Sequence, residues 1–220
     1  MIKYIFLDWG YTIIDGFKDT DDEVNEILKP YNKTWKDLFK IWRNFYYLHS
    51  LGRFDSDIEK YEQMSKITGV SISDFEKIGK IILESHILRN EIKETLVYLK
   101  NKGYKLGIIS NNIDEWVQYI LKREQIEDLF FKVVCSSAVG ERKPAANIYL
   151  KAFEDISKDE YENILFVSDE LSDDISGAIA VGVKTAWVSK TVSNGWKQKE
   201  EEIFKTDYKI ESIEELKNIL

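Results

Sequence analysis

Polar residues at four places in this sequence have the side chains needed to bind and transfer an anionic group. Asp8 is a carboxylate that could act as a nucleophile or hold a cation. Ser110 and Asn111 offer the hydroxyl and amide groups that bind anions at a helix start. Lys143, directly before Pro144, could neutralise both a carboxylate and an incoming anion. Taken singly, each has an ordinary alternative role as a turn residue, a helix cap or a solvated lysine.

The fourth place is strongly acidic. After Ser168, the residues Asp169, Glu170, Asp173 and Asp174 fall within a span of six positions. Such charges repel one another unless a cation lies among them, and Mg²⁺ binds carboxylate oxygens while it keeps several waters. Acids at the first turn of a helix are also favourable without any metal. That simpler explanation suits Asp173 and Asp174 better than it suits Asp169.

These polar groups follow short apolar runs that predict buried strands. The predicted strands are 2–7, 104–109, 130–135, 164–167 and 184–188, and the predicted helices between and after them are 91–102, 114–122, 145–156, 172–181 and 212–220. Ser212 and Glu215 have the spacing of a capping box at the start of the last helix. Alternating strands and helices favour a parallel sheet with helices on both faces. Such sheets bind ligands outside the carboxyl ends of their strands, where Asp8, Ser110 and Asp169 fall.

The segment 16–90 interrupts this alternation because it is rich in helix formers and shows no clear strand. Leu38, Trp42 and Phe45 fall at helical spacing, and further helices are predicted over 55–68 and 73–83. We therefore predict a core domain formed by 1–15 and 91–220, with a helical cap formed by 16–90 that covers the ligand position. We expect most cap aromatics, Trp35, Phe39, Trp42 and Phe45, to pack between the cap helices.

Composition narrows the possible functions. The chain has 220 residues, of which 44% are hydrophobic and 32% charged, so it can bury a core. Its net charge of -8 argues against a nucleic-acid-binding surface. Cys135 is the only cysteine, and no apolar run approaches the roughly 18 residues of a membrane span, so we expect a cytoplasmic protein that binds neither nucleic acid nor membrane. The charged stretch 197–202 is expected to be solvated, and the sequence indicates no oligomeric state.

The order of these motifs resembles that of the haloacid dehalogenase-like (HAD) superfamily. The matching segments are Phe6-Leu7-Asp8-Trp9-Gly10-Tyr11-Thr12, Ile108-Ile109-Ser110-Asn111, Lys143-Pro144, and Val167-Ser168-Asp169 with Asp174-Ile175-Ser176-Gly177-Ala178 and Gly182. The resemblance spans nearly the whole chain but does not specify a substrate. It implies a Rossmann-like, doubly wound parallel sheet with an inserted all-helical cap.

The resemblance also implies roles for individual residues. Asp8 would be the nucleophile that forms a covalent aspartyl intermediate, with Ser110 and Lys143 as its catalytic partners. The substrate would be bound by Thr12, Ser110, Asn111 and Lys143. The cofactor Mg²⁺ would be held by Asp8, the carbonyl of Gly10 and Asp169, and Asp174 would complete this metal site by hydrogen bonding or through water.

One position departs from the pattern of the phosphatase members. They resemble Asp-x-Asp-Gly-Thr, whereas this chain has Gly10 in place of the second Asp, which is their general acid and base. Positioned acid–base catalysis contributes about 10²–10⁴-fold in rate. Tyr11 stands where the usual glycine would follow, and we expect Gly10 to supply the backbone freedom one residue earlier.

Three functions are therefore open. We place first a Mg²⁺-dependent hydrolase of a small phosphorylated metabolite, because two like charges about 4 Å apart cost roughly 4 kcal/mol at an effective dielectric near 20 unless a cation intervenes. The second is a 2-haloacid dehalogenase-type hydrolase that also uses Asp8, since a halide leaves without a proton. The third is a catalytically weakened protein that binds a phosphorylated ligand. Cap residues such as Tyr46, Tyr47, His49 and Glu84 could replace the missing acid, but the sequence does not place them.

Overall fold

Parallel strands form the central sheet of the protein. In the computed structural model, which describes residues 1–189 and 204–220, six strands pair in the order β5-β4-β1-β6-β7-β8, and every neighbouring pair is parallel. These strands are β1 (Tyr4–Leu7), β4 (Lys105–Ser110), β5 (Phe130–Cys135), β6 (Ile164–Ser168), β7 (Lys184–Val188) and β8 (Tyr208–Ile210). A separate antiparallel ribbon is formed by β2 (Gly16–Phe17) and β3 (His86–Ile87).

The apolar core lies on both faces of this sheet, and β1 shows why. Ile5 and Leu7 point into one buried cluster, while Tyr4 and Phe6 point into the other, as the two-residue period of a strand requires. A strand that is apolar at every position is typical of a parallel sheet covered by helices on both sides. The covering elements are the helices α5 (Asn90–Asn101), α6 (Asp114–Arg123), α7 (Ser136–Val139), α8 (Ala146–Ala152), α9 (Ser176–Val181) and α10 (Leu216–Ile219), with 3₁₀ turns at Glu127–Leu129, Lys158–Asn163 and Ile213–Glu215 and a π-helical turn at Leu171–Ile175.

Between β2 and β3 the chain forms the cap. Its helices are α1 (Asp21–Leu28), α2 (Trp35–His49), α3 (Asp57–Thr68) and α4 (Ile72–Glu84), with a 3₁₀ turn at Lys29–Tyr31. Thr34 and Asp37 form a capping box at the start of α2. Trp42, Tyr61 and Phe75 form the cap's apolar interior, and Trp116 of α6 joins the same cluster. The cap therefore packs on the core through α6.

This architecture confirms the predicted Rossmann-like parallel sheet with a helical insertion, while several details differ. The ribbon of β2 and β3 lies within 16–90, where no strand was expected, and β8 was missed because it has three residues. Ser212 makes no side-chain cap, and Glu215 instead accepts a hydrogen bond from the Glu211 N–H. The predicted limits of the core and cap domains stay a prediction. The stretch 197–202 lies outside the described residues.

No helix in the described ranges combines the length and the apolar character needed to cross a membrane.

Candidate active site

Asp8 lies at the carboxyl end of the central strand, at the floor of a cavity of about 440 Å³ beneath the cap. Its backbone N–H donates to Val167 O at 2.9 Å, which continues the sheet one residue beyond β1. Its side chain is almost fully buried, and Oδ1 accepts a hydrogen bond from Lys143 Nζ at 2.5 Å. Within the described part of the chain, Oδ2 accepts none. One oxygen of Asp8 is thus oriented by a cation while the other remains available for chemistry.

Lys143 is buried and all of its donors are used. Nζ donates to Asp8 Oδ1, to Asp174 Oδ2 at 2.6 Å and to the carbonyl of Ile109 at 3.0 Å. Burial by itself would lower the pKa of Lys143, but the nearby carboxylates of Asp174 and Asp8 outweigh it and raise that pKa above its usual value. Lys143 is therefore a fixed positive charge beside Asp8.

Asp174 contacts Lys143 directly in this structure. Its Oδ2 accepts hydrogen bonds from Lys143 and from the Ser168 hydroxyl, the latter at 2.7 Å. Its main-chain carbonyl accepts a hydrogen bond from the Tyr149 hydroxyl at 2.5 Å. The expectation that Asp174 belongs to a metal site stays a prediction, and the observed contacts give it the role of positioning the lysine.

Asn111, which was expected to bind substrate, is hydrogen-bonded to the main chain of Lys143. Its Oδ1 accepts from the Lys143 N–H at 2.7 Å, and its Nδ2 donates to the Lys143 carbonyl at 3.2 Å. The side-chain amide thus holds the main chain of Lys143 through two hydrogen bonds. Ser110, at the end of β4, is buried and lines the cavity with Asp8, and its catalytic and substrate-binding roles stay predictions.

The cavity floor carries more negative than positive charge. Burial raises the pKa of the Asp8 carboxyl, the carboxylates of Asp174 and Asp169 raise it further, and Lys143 opposes them. Asp169 is buried directly after β6, and its main-chain carbonyl accepts a hydrogen bond from Trp187 Nε1 at 3.0 Å. Three carboxylates beside one ammonium favour the binding of a further cation.

This donor set fits Mg²⁺. Among residues 1–189 and 204–220, no three acidic, histidine or cysteine side chains are grouped to hold a metal by themselves. Mg²⁺ does not need such a group, because it is usually bound by one or two carboxylates, completed by waters and by the phosphate of a substrate. Asp8 and Asp169, with the carbonyl of Gly10, offer the hard oxygen ligands that Mg²⁺ prefers.

Gly10 lines the cavity and is not required there by backbone strain. Its φ lies outside the left-handed region, whereas Tyr11 itself adopts a positive φ of 54°. The expectation that Gly10 supplies the backbone freedom that Tyr11 lacks is therefore wrong. A Cβ added to Gly10 would meet no atom within 4 Å. Space for a side chain therefore exists at this position.

Thr12 is the predicted site residue that the structure does not bring to the cavity. Its buried hydroxyl has no partner among the described residues. It lines a different cavity, together with Asp15 and Arg89, and does not line the one above Asp8. Its predicted contact with substrate is therefore not supported by its position.

The cap supplies the opposite wall of the site. Phe39, Trp42, Arg43 and Tyr46 of α2 line the cavity. Phe39 is half exposed there, whereas Trp42 packs among Trp35, Tyr61 and Trp116, as expected for a packing residue.

Polar contacts join this wall to the core. The Tyr46 hydroxyl donates to Asn112 Oδ1 at 2.8 Å. Arg142 donates to Ser50 Oγ and to the Asn111 carbonyl, and its guanidinium lies 4.8 Å from the centre of the Tyr47 ring. Sequence reasoning did not identify Arg43 or Arg142 as site residues, and it named Tyr46 only as one of several cap residues that could replace the missing acid. The only available signals were the periodicity of α2 and the position of Arg142 beside Lys143.

The fold and the site together define a class of protein. A carboxylate follows the central strand of a Rossmann-like sheet, a buried lysine holds it, and a helical insertion closes over both. The model of the family described as haloacid dehalogenase-like hydrolase matches residues 7–188. The chain belongs to this family.

The chain is also similar to individual proteins of known name. The chain is 38% identical over 97 residues to a glyceraldehyde 3-phosphate phosphatase from Pyrococcus abyssi, and this match covers 43% of the chain and 40% of the relative. The chain thus spans less than half the length of that relative. It is 29% identical over 191 residues to the pyrophosphatase PpaX of Bacillus mycoides, with 79% of the chain and 86% of the relative covered. A HAD phosphatase structure from Thermococcus onnurineus has the same fold, with a TM-score of 0.65, 24% identity, and coverage of 99% of this chain and 97% of that one.

Proposed function

We propose that this protein is a Mg²⁺-dependent phosphohydrolase that cleaves a small phosphorylated metabolite through an aspartyl-phosphate at Asp8. The observation that carries the proposal is how the two oxygens of the Asp8 carboxylate are hydrogen-bonded. Lys143 holds its Oδ1 at 2.5 Å, and its Oδ2 lies without a hydrogen bond among the described residues, at the floor of the cap-covered cavity. The similarity of the chain to a glyceraldehyde 3-phosphate phosphatase and to a pyrophosphatase supports phosphoryl transfer.

The residues suggest a two-step reaction. Asp8 Oδ2 attacks phosphorus, the bond from phosphorus to the leaving oxygen breaks, and an aspartyl-phosphate forms. Water then attacks the same phosphorus, and Asp8 leaves as a carboxylate. Lys143 stays beside Asp8 throughout, so its charge stabilises the negative charge that develops in both steps. Mg²⁺, when bound, supplies further neutralisation of the phosphoryl oxygens.

Charge at the cavity floor favours this function over dehalogenation. Asp169 and Asp174 lie close enough to Asp8 to raise its pKa, and Lys143 is the ammonium that balances them. An anionic haloacid would meet this excess of negative charge directly. A phosphate ester would meet it with a divalent cation between the two, which removes a repulsion of roughly 4 kcal/mol per close pair of charges at an effective dielectric near 20.

The test is hydrolysis of p-nitrophenyl phosphate with Mg²⁺ and with EDTA, run beside chloride release from 2-chloropropionate. p-Nitrophenolate leaves without a proton, so the assay does not require the acid that Gly10 lacks. We expect Mg²⁺-dependent hydrolysis that Asp8→Asn abolishes. Asp155→Asn, at a surface carboxylate that is 72% exposed, is the matched control and should leave the rate unchanged.

Two results would overturn the proposal. Chloride release without phosphate release would identify a dehalogenase. Absence of both activities in a folded protein that still binds phosphate would identify a phospho-ligand-binding protein.

A further inference from the structure

The second step of the proposed reaction needs a base, and Gly10 cannot provide one. Other cavity-lining groups are poorly suited to this task. Asp174 is engaged by Lys143 and Ser168, and the Tyr46 hydroxyl is a donor whose pKa is raised by burial. Glu170 and Asp173 also line the cavity, but each would face the phosphoryl group as a further negative charge, and Glu170 accepts a hydrogen bond from the Ser172 hydroxyl at 3.2 Å. Among the described lining residues, His86 is the candidate base that is uncharged in its basic form.

His86 is buried at the start of β3 and lines the cavity that contains Asp8 and Gly10. It is held on several sides. Its backbone pairs with Phe17 in the ribbon, its ring lies edge-on to the Phe17 ring at 4.7 Å, and its carbonyl accepts from Arg123 Nη2 at 2.7 Å. The ring is therefore fixed at the base of the cap, on the strand that pairs with the continuation of the Asp8 loop.

The hydrogen bonds of His86 determine its tautomer. Nδ1 lies 3.1 Å from the carbonyl oxygen of Ile82 and 3.0 Å from that of Leu83. A carbonyl oxygen only accepts, so Nδ1 must carry the proton and donate to both. In the neutral ring, the lone pair is then on Nε2. Nε2 makes no hydrogen bond within the described ranges, and it is not among the fully buried atoms that lack a partner.

We infer that His86 is the general base of dephosphorylation and performs the task of the aspartate that Gly10 replaces. This inference rests on the phosphohydrolase function proposed above. Water attacks the phosphorus of the aspartyl-phosphate while Nε2 accepts its proton. The bond from phosphorus to the Asp8 oxygen breaks with its electron pair on Asp8, so the products are inorganic phosphate, the Asp8 carboxylate and an imidazolium. The imidazolium then returns its proton to solvent.

The chemistry of a buried neutral imidazole suits this role. Burial, with a smaller contribution from the charge of Arg123, lowers the pKa of His86 to about 4. An ordinary aspartate has a pKa of about 3.9, so His86 matches the base strength of the residue that is missing. Unlike aspartate, it adds no negative charge to the cavity.

Rapid mixing with p-nitrophenyl phosphate separates the two steps. The burst of p-nitrophenolate reports formation of the aspartyl-phosphate, and intact-protein mass spectrometry follows its loss. His86→Asn keeps an amide N–H near the two carbonyls but has no base at the Nε2 position. We expect the burst to be retained, the rate of dephosphorylation to fall by about 10²-fold or more, and the phosphorylated protein to accumulate.

Three further variants sharpen the test. His49→Asn, at the chain's other histidine, which is buried in the cap near Asp57, should leave the ratio of the two steps unchanged. Asp173→Asn should likewise not accumulate phosphoprotein. Gly10→Asp added to His86→Asn should restore dephosphorylation, which a purely structural defect at His86 would not show.

The outcomes distinguish the two proposals. If the wild-type protein releases no p-nitrophenolate and forms no phosphorylated species, the proposed function fails and this inference fails with it. If the wild type turns over but His86→Asn dephosphorylates at the wild-type rate, or loses both steps equally, only the role of His86 is refuted. Accumulation in Asp173→Asn would assign the base to that carboxylate.

Discussion

Gly10→Asp should convert this protein into a faster phosphatase for substrates with poor leaving groups. The structure allows the change, since a Cβ at Gly10 meets nothing within 4 Å and the residue has no left-handed φ. Gly10 also lines the cavity that contains Asp8, so the substitution adds a carboxyl group at this cavity. Protonated, it could donate to the departing oxygen.

The size of the gain depends on the leaving group. A positioned acid or base contributes about 10²–10⁴-fold, which corresponds to roughly 2.7–5.5 kcal/mol of barrier at about 1.36 kcal/mol per tenfold. An alkoxide needs this proton and p-nitrophenolate does not. The extra carboxylate also adds to the excess negative charge near Asp8, and this repulsion offsets part of the gain. We therefore expect an increase near the lower limit, about 10²-fold, for an alkyl phosphate.

The assay compares kcat/KM for glycerol 3-phosphate and for p-nitrophenyl phosphate in the wild type, Gly10→Asp and Gly10→Asn. The asparagine variant has the same shape without a transferable proton and is the matched control. We expect the alkyl-to-aryl ratio to rise in the aspartate variant alone. An equal rise in both variants would mean that side-chain volume is responsible, and no rise in a folded Gly10→Asp protein would refute acid deficiency as the defect.

Three other predictions concern the support of the site. Lys143→Met leaves Asp8 and Asp174 without their shared cation, and urea titration should show a loss of about 3–5 kcal/mol in the free energy of unfolding. Gly177→Ala places a Cβ 2.6 Å from Tyr149 Cε2 and 2.8 Å from Pro144 O, so it should cost about 1–3 kcal/mol and lower kcat, whereas Gly16→Ala, in open space, should do neither. His86 titrates near 4 when folded and about 6.5 when unfolded, so the unfolded chain binds more protons between these values. As pH falls from about 6.5 to 4, urea titrations should show the wild type losing roughly 3 kcal/mol that His86→Asn does not lose, and parallel pH profiles would contradict this pKa.

Much of the fold was predictable from the sequence because it follows from local patterns. The apolar runs predicted five strands of the main sheet, namely β1, β4, β5, β6 and β7. The helical periodicity of 16–90 predicted the cap. The ribbon of β2 and β3 and the short strand β8 were missed, since two or three residues carry no readable period and are held by partners distant in sequence. The predicted Ser212 capping box is also absent: Ser212 makes no side-chain cap, and the Glu215 carboxylate accepts a hydrogen bond from the Glu211 N–H.

The sequence alone determined which residues stand at the strand ends, because strand, turn and motif spacing are properties of neighbouring positions. Asp8, Ser110, Lys143 and Asp169 were identified in this way. Only the tertiary structure decided what each one touches: Lys143 reaches Asp8 across 135 positions, and Asn111 clamps Lys143 across 32. The same long-range packing directs Thr12 to another cavity and brings His86 into this one. A side chain's partners depend on how the sheet and the cap close in space, and no local spacing encodes that closure.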